Sequence, residues 1–89
     1  MPSLPGEELV EKGIEDLASG KETLEALLVS IGAPRLSRAG LTVRNPIPSP
    51  EHRLYELLAR SNSDSAHSRY NALIRRLVSF ERAAECGAS

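Results

Sequence analysis

Residues 65–85 read SAHSRYNALIRRLVSFERAAE, and their spacing decides the fold class. Ala66, Tyr70, Leu73, Ile74, Leu77 and Ala84 recur at intervals of a helical turn, with Phe80 at the edge of the same stripe. Apolar residues at this period place one face of a helix against a core. The spacing predicts the longest helix of the chain, from about Ser65 to Glu85, with Asp64 as its cap.

Outward from this stretch the same period returns three times. Ser49-Pro50-Glu51 offers a capping hydroxyl, a proline for the first helical position and an acid for the first turn. The helix it starts runs to Arg60 or Ser61, with Leu54, Tyr55, Leu57 and Leu58 inward and His52, Glu56 and Arg60 in an outward row. Near the beginning, Glu7 to Ala18 turns Leu9, Val10, Gly13, Ile14 and Leu17 to one side and Glu8, Glu11, Lys12, Glu15 and Asp16 to the other. Gly13 lies inside that apolar stripe, where close approach of a neighbouring helix would explain it. Ser19-Gly20-Lys21-Glu22 matches a capping box. It predicts a second helix from Gly20 to Ile31, stopped by Gly32 and Pro34. The connection between these two helices is short, so they should form an antiparallel hairpin.

Between the hairpin and Ser49 the pattern weakens. Residues 34–40 read as one or two helical turns, opened by proline and closed by glycine. Leu41 to Arg44 favours an extended chain but has no partner strand, and the prolines at 46, 48 and 50 make the rest irregular. Ile47 is expected to pin this loop to the core. The reading is therefore all-α: a single domain over 1–89, a small bundle of four main helices plus one short helical turn. Its ends, 1–5 and 86–89, should fray, and 41–50 should form a Pro-rich connecting loop.

The composition sets further expectations. With two Tyr, one Phe and no Trp, the core must be aliphatic. Cys86 is alone, so no internal disulfide can form, which points to a reducing compartment. No basic, apolar leader opens the sequence and no apolar run is long enough for a membrane span, so the cytoplasm is the expected location, with no membrane partner. A chain of 89 residues buries a modest core, and small domains commonly gain stability by association.

The net charge of −1 conceals an imbalance. Residues 1–33 carry seven acids and two lysines, for −5, while residues 34–89 carry nine arginines and five acids, for +4. Either the acidic half folds against the basic half, or complementary faces meet between two copies of the chain.

Two features of the last helix stand out. Glu81 falls within the apolar stripe. It is expected to reach water near the helix end, the alternative being an ion pair with an arginine across an interface. Opposite the apolar face, Ser65, Ser68, Ala72, Ser79, Ala83 and Cys86 form a stripe of small residues, flanked by Arg75 and Arg82 on one side and by Arg69 and Arg76 on the other. This is either a solvated face or a packing surface for a partner. The candidate partner-binding set is Ser68, Ala72, Arg75, Arg76, Ser79, Glu81, Arg82 and Ala83.

No catalytic, cofactor or metal pattern emerges. His52, Glu56 and His67 lack the three- or four-ligand spacing of a zinc site. An enzyme built from these groups with Tyr55, Tyr70 or Cys86 is disfavoured, since Cys86 has no histidine near it in sequence. Residues 20–40 loosely suggest a helix-turn-helix reading DNA with Arg35 and Arg38, but the second helix is short and the pI of about 6.1 argues against nucleic acid. The expected function is a small accessory or regulatory protein-interaction module, self-associating and without evident catalytic activity, whose partner is another protein or, as a homodimer, a second copy of this chain. A DNA-binding regulator is the alternative.

Overall fold

The computed structural model describes residues 4–88 and contains four helices: α1 (Glu7–Ala18), α2 (Leu24–Arg38), α3 (Pro50–Ser61) and α4 (Ala66–Ala88). No strand occurs among the described residues, so the all-α bundle expected from periodicity is the fold. Residues 1–3 and Ser89, expected to fray, lie outside the described residues; α4 itself continues past Glu85 to Ala88.

α2 is the central helix and packs against α1, α3 and α4. Its residues Ala26, Leu27, Leu28, Val29 and Ser30 are all buried in succession, so it is enclosed nearly all round. Val10 and Leu17 of α1, Leu54 and Leu58 of α3, and Ala66, Leu77 and Phe80 of α4 complete the core around it.

Local chemistry explains where α1 and α2 end. Gly20 takes a left-handed φ of 76°. The Lys21 N–H donates to the Asp16 carbonyl and the Gly20 N–H to the Leu17 carbonyl. This is the Schellman arrangement, which suits glycine at its left-handed position. It recurs at φ 97° in Gly40, where the Leu41 N–H donates to the Leu36 carbonyl and the Gly40 N–H to the Ser37 carbonyl.

Four helix ends differ from expectation. Ser19 closes α1 and does not open α2; the cap of α2 is Thr23, whose hydroxyl accepts from the Ala26 N–H at 3.1 Å. α2 also runs through Gly32 and Pro34, absorbing the separate helical turn expected at 34–40. Gly32 and Leu36 are buried against the bundle, and that packing outweighs the local stop signals. Ser49 has φ 51°, not the extended backbone from which a hydroxyl caps, and it makes no side-chain cap bond. Before α4 the turn is held by Asn62, not by Asp64: its Oδ1 accepts from the backbone N–H groups of Asp64 and Ser65.

Two close approaches fix the bundle. A Cβ on Gly13 would lie 2.3 Å from the Glu25 carbonyl oxygen, so α1 and α2 are in backbone contact there, as the glycine suggested. The Ser30 hydroxyl, buried in α2, donates to the Ala26 carbonyl and accepts from the Ile47 N–H at 3.0 Å. Ile47 packs on the core from the same loop, so the Pro-rich connection is pinned as expected.

Asp16 and Tyr55 are placed differently from the periodic reading. Asp16 is buried, because the turn after α1 folds Thr23 over it: the Thr23 hydroxyl donates to its carboxylate at 2.6 Å and Lys12 Nζ does so at 3.0 Å. Tyr55 is exposed, tilted at 57° against Tyr70 of α4 with ring centroids 5.9 Å apart.

Candidate protein-interaction surface

α4 is 23 residues long, so at 1.5 Å per residue it spans about 34 Å, most of the longest 40 Å dimension of the chain. One side meets α2 and α3 through its apolar stripe. The opposite side faces solvent, with Ser68, Ala72, Arg75, Arg76, Ser79 and Arg82 exposed and Ala83 half-buried. These seven candidates share one surface.

Glu81 does not belong to that surface. It is buried at 3% exposure beneath α2, and Arg35 Nη1 lies 3.4 Å from its carboxylate. Both expectations for it are overturned: it does not reach water, and its arginine comes from its own chain. Arg35 also bonds Glu85, through Nη2 at 3.0 Å and Nε at 3.1 Å, so one guanidinium ties the end of α2 to two carboxylates of α4. Burial raises the Glu81 carboxyl above its ordinary value; Arg35 opposes that and Glu85 adds to it. The clue present in the sequence was the helical phase of Glu81 itself.

Arg69, Arg75, Arg76 and Arg82 make no ion pair among the described residues, and neither do Glu7, Glu8, Glu11 and Glu15 of α1. The acidic start of the chain therefore does not fold its charges onto the basic end. The pair Glu22–Arg53, at 2.7 Å, is where an acid from residues 1–33 meets an arginine from 34–89.

The concavities among the described residues include two that flank the bundle. A polar one of about 490 Å³ lies between the α1–α2 turn, the Pro-rich loop and α3, and gathers Glu22, Ser49, His52, Arg53, Glu56 and Arg60. Its charges are largely satisfied internally, since Glu22 holds Arg53 and His52 pairs with Glu56. His67 lies apart at the start of α4, within hydrogen-bond distance of Asn71, so the structure does not gather it with His52 and Glu56. Among the described residues no three His, Cys, Asp or Glu side chains are grouped to hold a metal ion. The second concavity, about 420 Å³, is a groove between α1 and α4 with Val10, Ile14, Leu41, Phe80, Ala83 and Ala84 in its lining and Glu7 and Glu11 among its walls. It was not foreseen, because its walls come from stretches distant in sequence.

The helix-turn-helix of the DNA-binding alternative, over residues 20–40, is not formed: Gly32 to Pro34 lie inside one continuous helix, with no turn to separate a reading helix. No helix of the described residues is long and apolar enough to cross a membrane. The chain matches no known protein family, and no curated protein or solved structure is significantly similar to it.

Proposed function

We propose that this chain is a small protein-interaction module that self-associates through the outer face of α4. The observation that carries this reading is the row of exposed arginines on that face, free of ion pairs among the described residues and interleaved with small residues. Small side chains let a partner approach closely, and unpaired guanidinium groups supply charge-assisted contacts at the edges. On a second copy the complement of these arginines is the acidic face of α1, whose Glu7, Glu8, Glu11 and Glu15 also make no ion pair among the described residues.

The test is light scattering coupled to size exclusion over a wide concentration range, on the wild type and on Ala72→Glu. Dimers that dissociate on dilution are expected for the wild type, and monomers of unchanged helix content for the variant. A wild type that stays monomeric at the highest concentration removes self-association and leaves a different protein as the occupant. Duplex DNA added in the same experiment should not co-elute. Tight, salt-sensitive co-elution would instead assign the arginines to phosphate contacts.

A further inference from the structure

We propose that the groove between α1 and α4 is one half of a two-fold interface, in which the acidic edge on α1 meets the basic edge on α4 of a second copy. This rests on the self-association reading and assigns it a geometry.

The groove has an apolar floor, including Val10, Ile14 and Phe80, and Glu7 and Glu11 line one of its edges. On the α1 side, Glu7 and Glu11 are four residues apart and line the same wall. On the α4 side the wall includes Ala83. Arg76 and Arg69 precede Ala83 by seven and fourteen residues, about two and four helical turns, so they continue its edge along the helix. Arg69, Arg76 and Glu11 are exposed, Glu7 is half-buried, and none of the four makes an ion pair among the described residues. Acids thus line one edge of the groove and arginines lie along α4 beyond its other edge, without pairing with one another.

A two-fold axis along the groove places each edge opposite the other edge of the second copy. The acids of each copy then face the arginine-bearing edge of α4 on the other, twice over, around an apolar centre. An apolar centre with a charged rim is the usual anatomy of a protein interface, and a two-fold contact requires a patch complementary to itself. Acid and arginine on opposite edges of one groove meet that requirement. A patch of single charge, such as the outermost face of α4 alone, would repel its copy.

The experiment uses two charge-reversed full-length chains. One carries Glu7→Lys and Glu11→Lys, so both edges are basic; the other carries Arg69→Glu and Arg76→Glu, so both are acidic. Each alone should associate at least about tenfold more weakly than the wild type, because like charges now face one another. An equimolar mixture should restore association as a heterodimer, read by light scattering and by native mass spectrometry. Circular dichroism checks that each variant keeps its helix content. If a double variant unfolds, Glu11→Lys and Arg76→Glu are mixed in the same way. A wild type that does not self-associate overturns the proposal, and so does a mixture no stronger than its components. If the wild type associates and Ala72→Glu disrupts it while both charge-reversed chains still dimerise, the α4 reading stands and this geometry falls.

Discussion

Glu81 sits directly over Gly32: a Cβ added at residue 32 would come within 2.7 Å of its Oε2 and 3.0 Å of Leu77 Cδ1. The glycine that reads as a helix stop is thus a recess in the middle of α2, and what fills the space is a carboxylate of α4. Arg35, three residues further along α2, meets that carboxylate from its own helix. Recess and guanidinium together hold a charged group that the rest of the apolar stripe would exclude.

The two buried glycines inside helices, Gly13 and Gly32, should respond differently to alanine. At Gly13 the new Cβ would meet the Glu25 carbonyl oxygen and Val29 Cγ2, both at 2.3 Å, so backbone must move. Gly13→Ala is expected to destabilise by about 1–3 kcal/mol, as overpacking does, despite the better helix propensity of alanine. At Gly32 the obstacles are the ends of the Glu81 and Leu77 side chains, which can yield, so Gly32→Ala should cost less. Urea denaturation of both variants checks the order; a Gly13→Ala protein as stable as the wild type would refute the close packing of α1 on α2.

Glu81→Gln should be favoured as pH rises. The folded-state value of this carboxyl lies above its ordinary 4.5. The folded chain therefore holds the proton longer than the unfolded one. Its contribution to stability is complete below 4.5 and is lost as pH rises through the raised value. Glutamine keeps the neutral shape at every pH, and Arg35 retains Glu85 as a partner. The gap in Tm between Glu81→Gln and wild type should widen in favour of the variant from below 4.5 to neutrality. A gap constant with pH, or one moving the other way, would show that the Arg35 pair outweighs burial.

Ser30→Ala should release the Pro-rich loop. The Ser30 hydroxyl is the side-chain acceptor of the Ile47 N–H, and it lies on the buried central helix. Its loss leaves that N–H without this partner, at a cost of about 1 kcal/mol or somewhat more. The helix itself should persist, since the hydroxyl adds only a side-chain bond to the Ala26 carbonyl. Trypsin should cut after Arg44 faster in the variant than in the wild type, with cleavage elsewhere little changed. Equal rates at Arg44 would mean that Ile47 packing alone holds the loop.

Much of this architecture was legible as period. Val10 and Leu17, Leu54 and Leu58, and Leu77 and Phe80 fall at helical spacing and are the residues the core buries. The outer face of α4 was legible for the same reason, because a face is a property of one helix. What period could not give is what another segment does to a residue. Asp16 falls on the polar side of α1 and becomes buried because Thr23 folds over it. Gly32 and Pro34 carry real stop signals, but those are local, and α2 continues because Gly32 and Leu36 are buried. Glu81 has the phase of a core residue, yet its partner Arg35 lies on a different helix, 46 positions away in sequence. The groove has walls from α1, residues 39–41 and α4, so no single stretch announces it.

Thr23→Ala should show a pH dependence opposite to that of Glu81. One hydroxyl accepts from the Ala26 N–H, capping α2, and donates to the buried Asp16 carboxylate. Losing the cap alone costs about 0.5–2 kcal/mol. The second bond is charge-assisted, and it is the main reason Asp16 titrates below its ordinary 3.8, with Lys12 contributing next. A lowered folded-state value gives stability that is present above 3.8 and is lost as pH falls through it. Removing the hydroxyl returns the carboxyl toward its ordinary value and discards part of that stability. The difference between wild type and Thr23→Ala should therefore be largest near neutrality and shrink toward the capping cost alone in acid. Glu81 is present in both proteins, so its opposite trend cancels in the difference. Thr23→Ser keeps an oxygen and a proton in place and should behave nearly as the wild type. Urea denaturation at neutral and strongly acidic pH reads these differences directly. A penalty equal at both pH values, or a serine variant as unstable as the alanine one, would mean that Thr23 acts on α2 only and does not join it to α1.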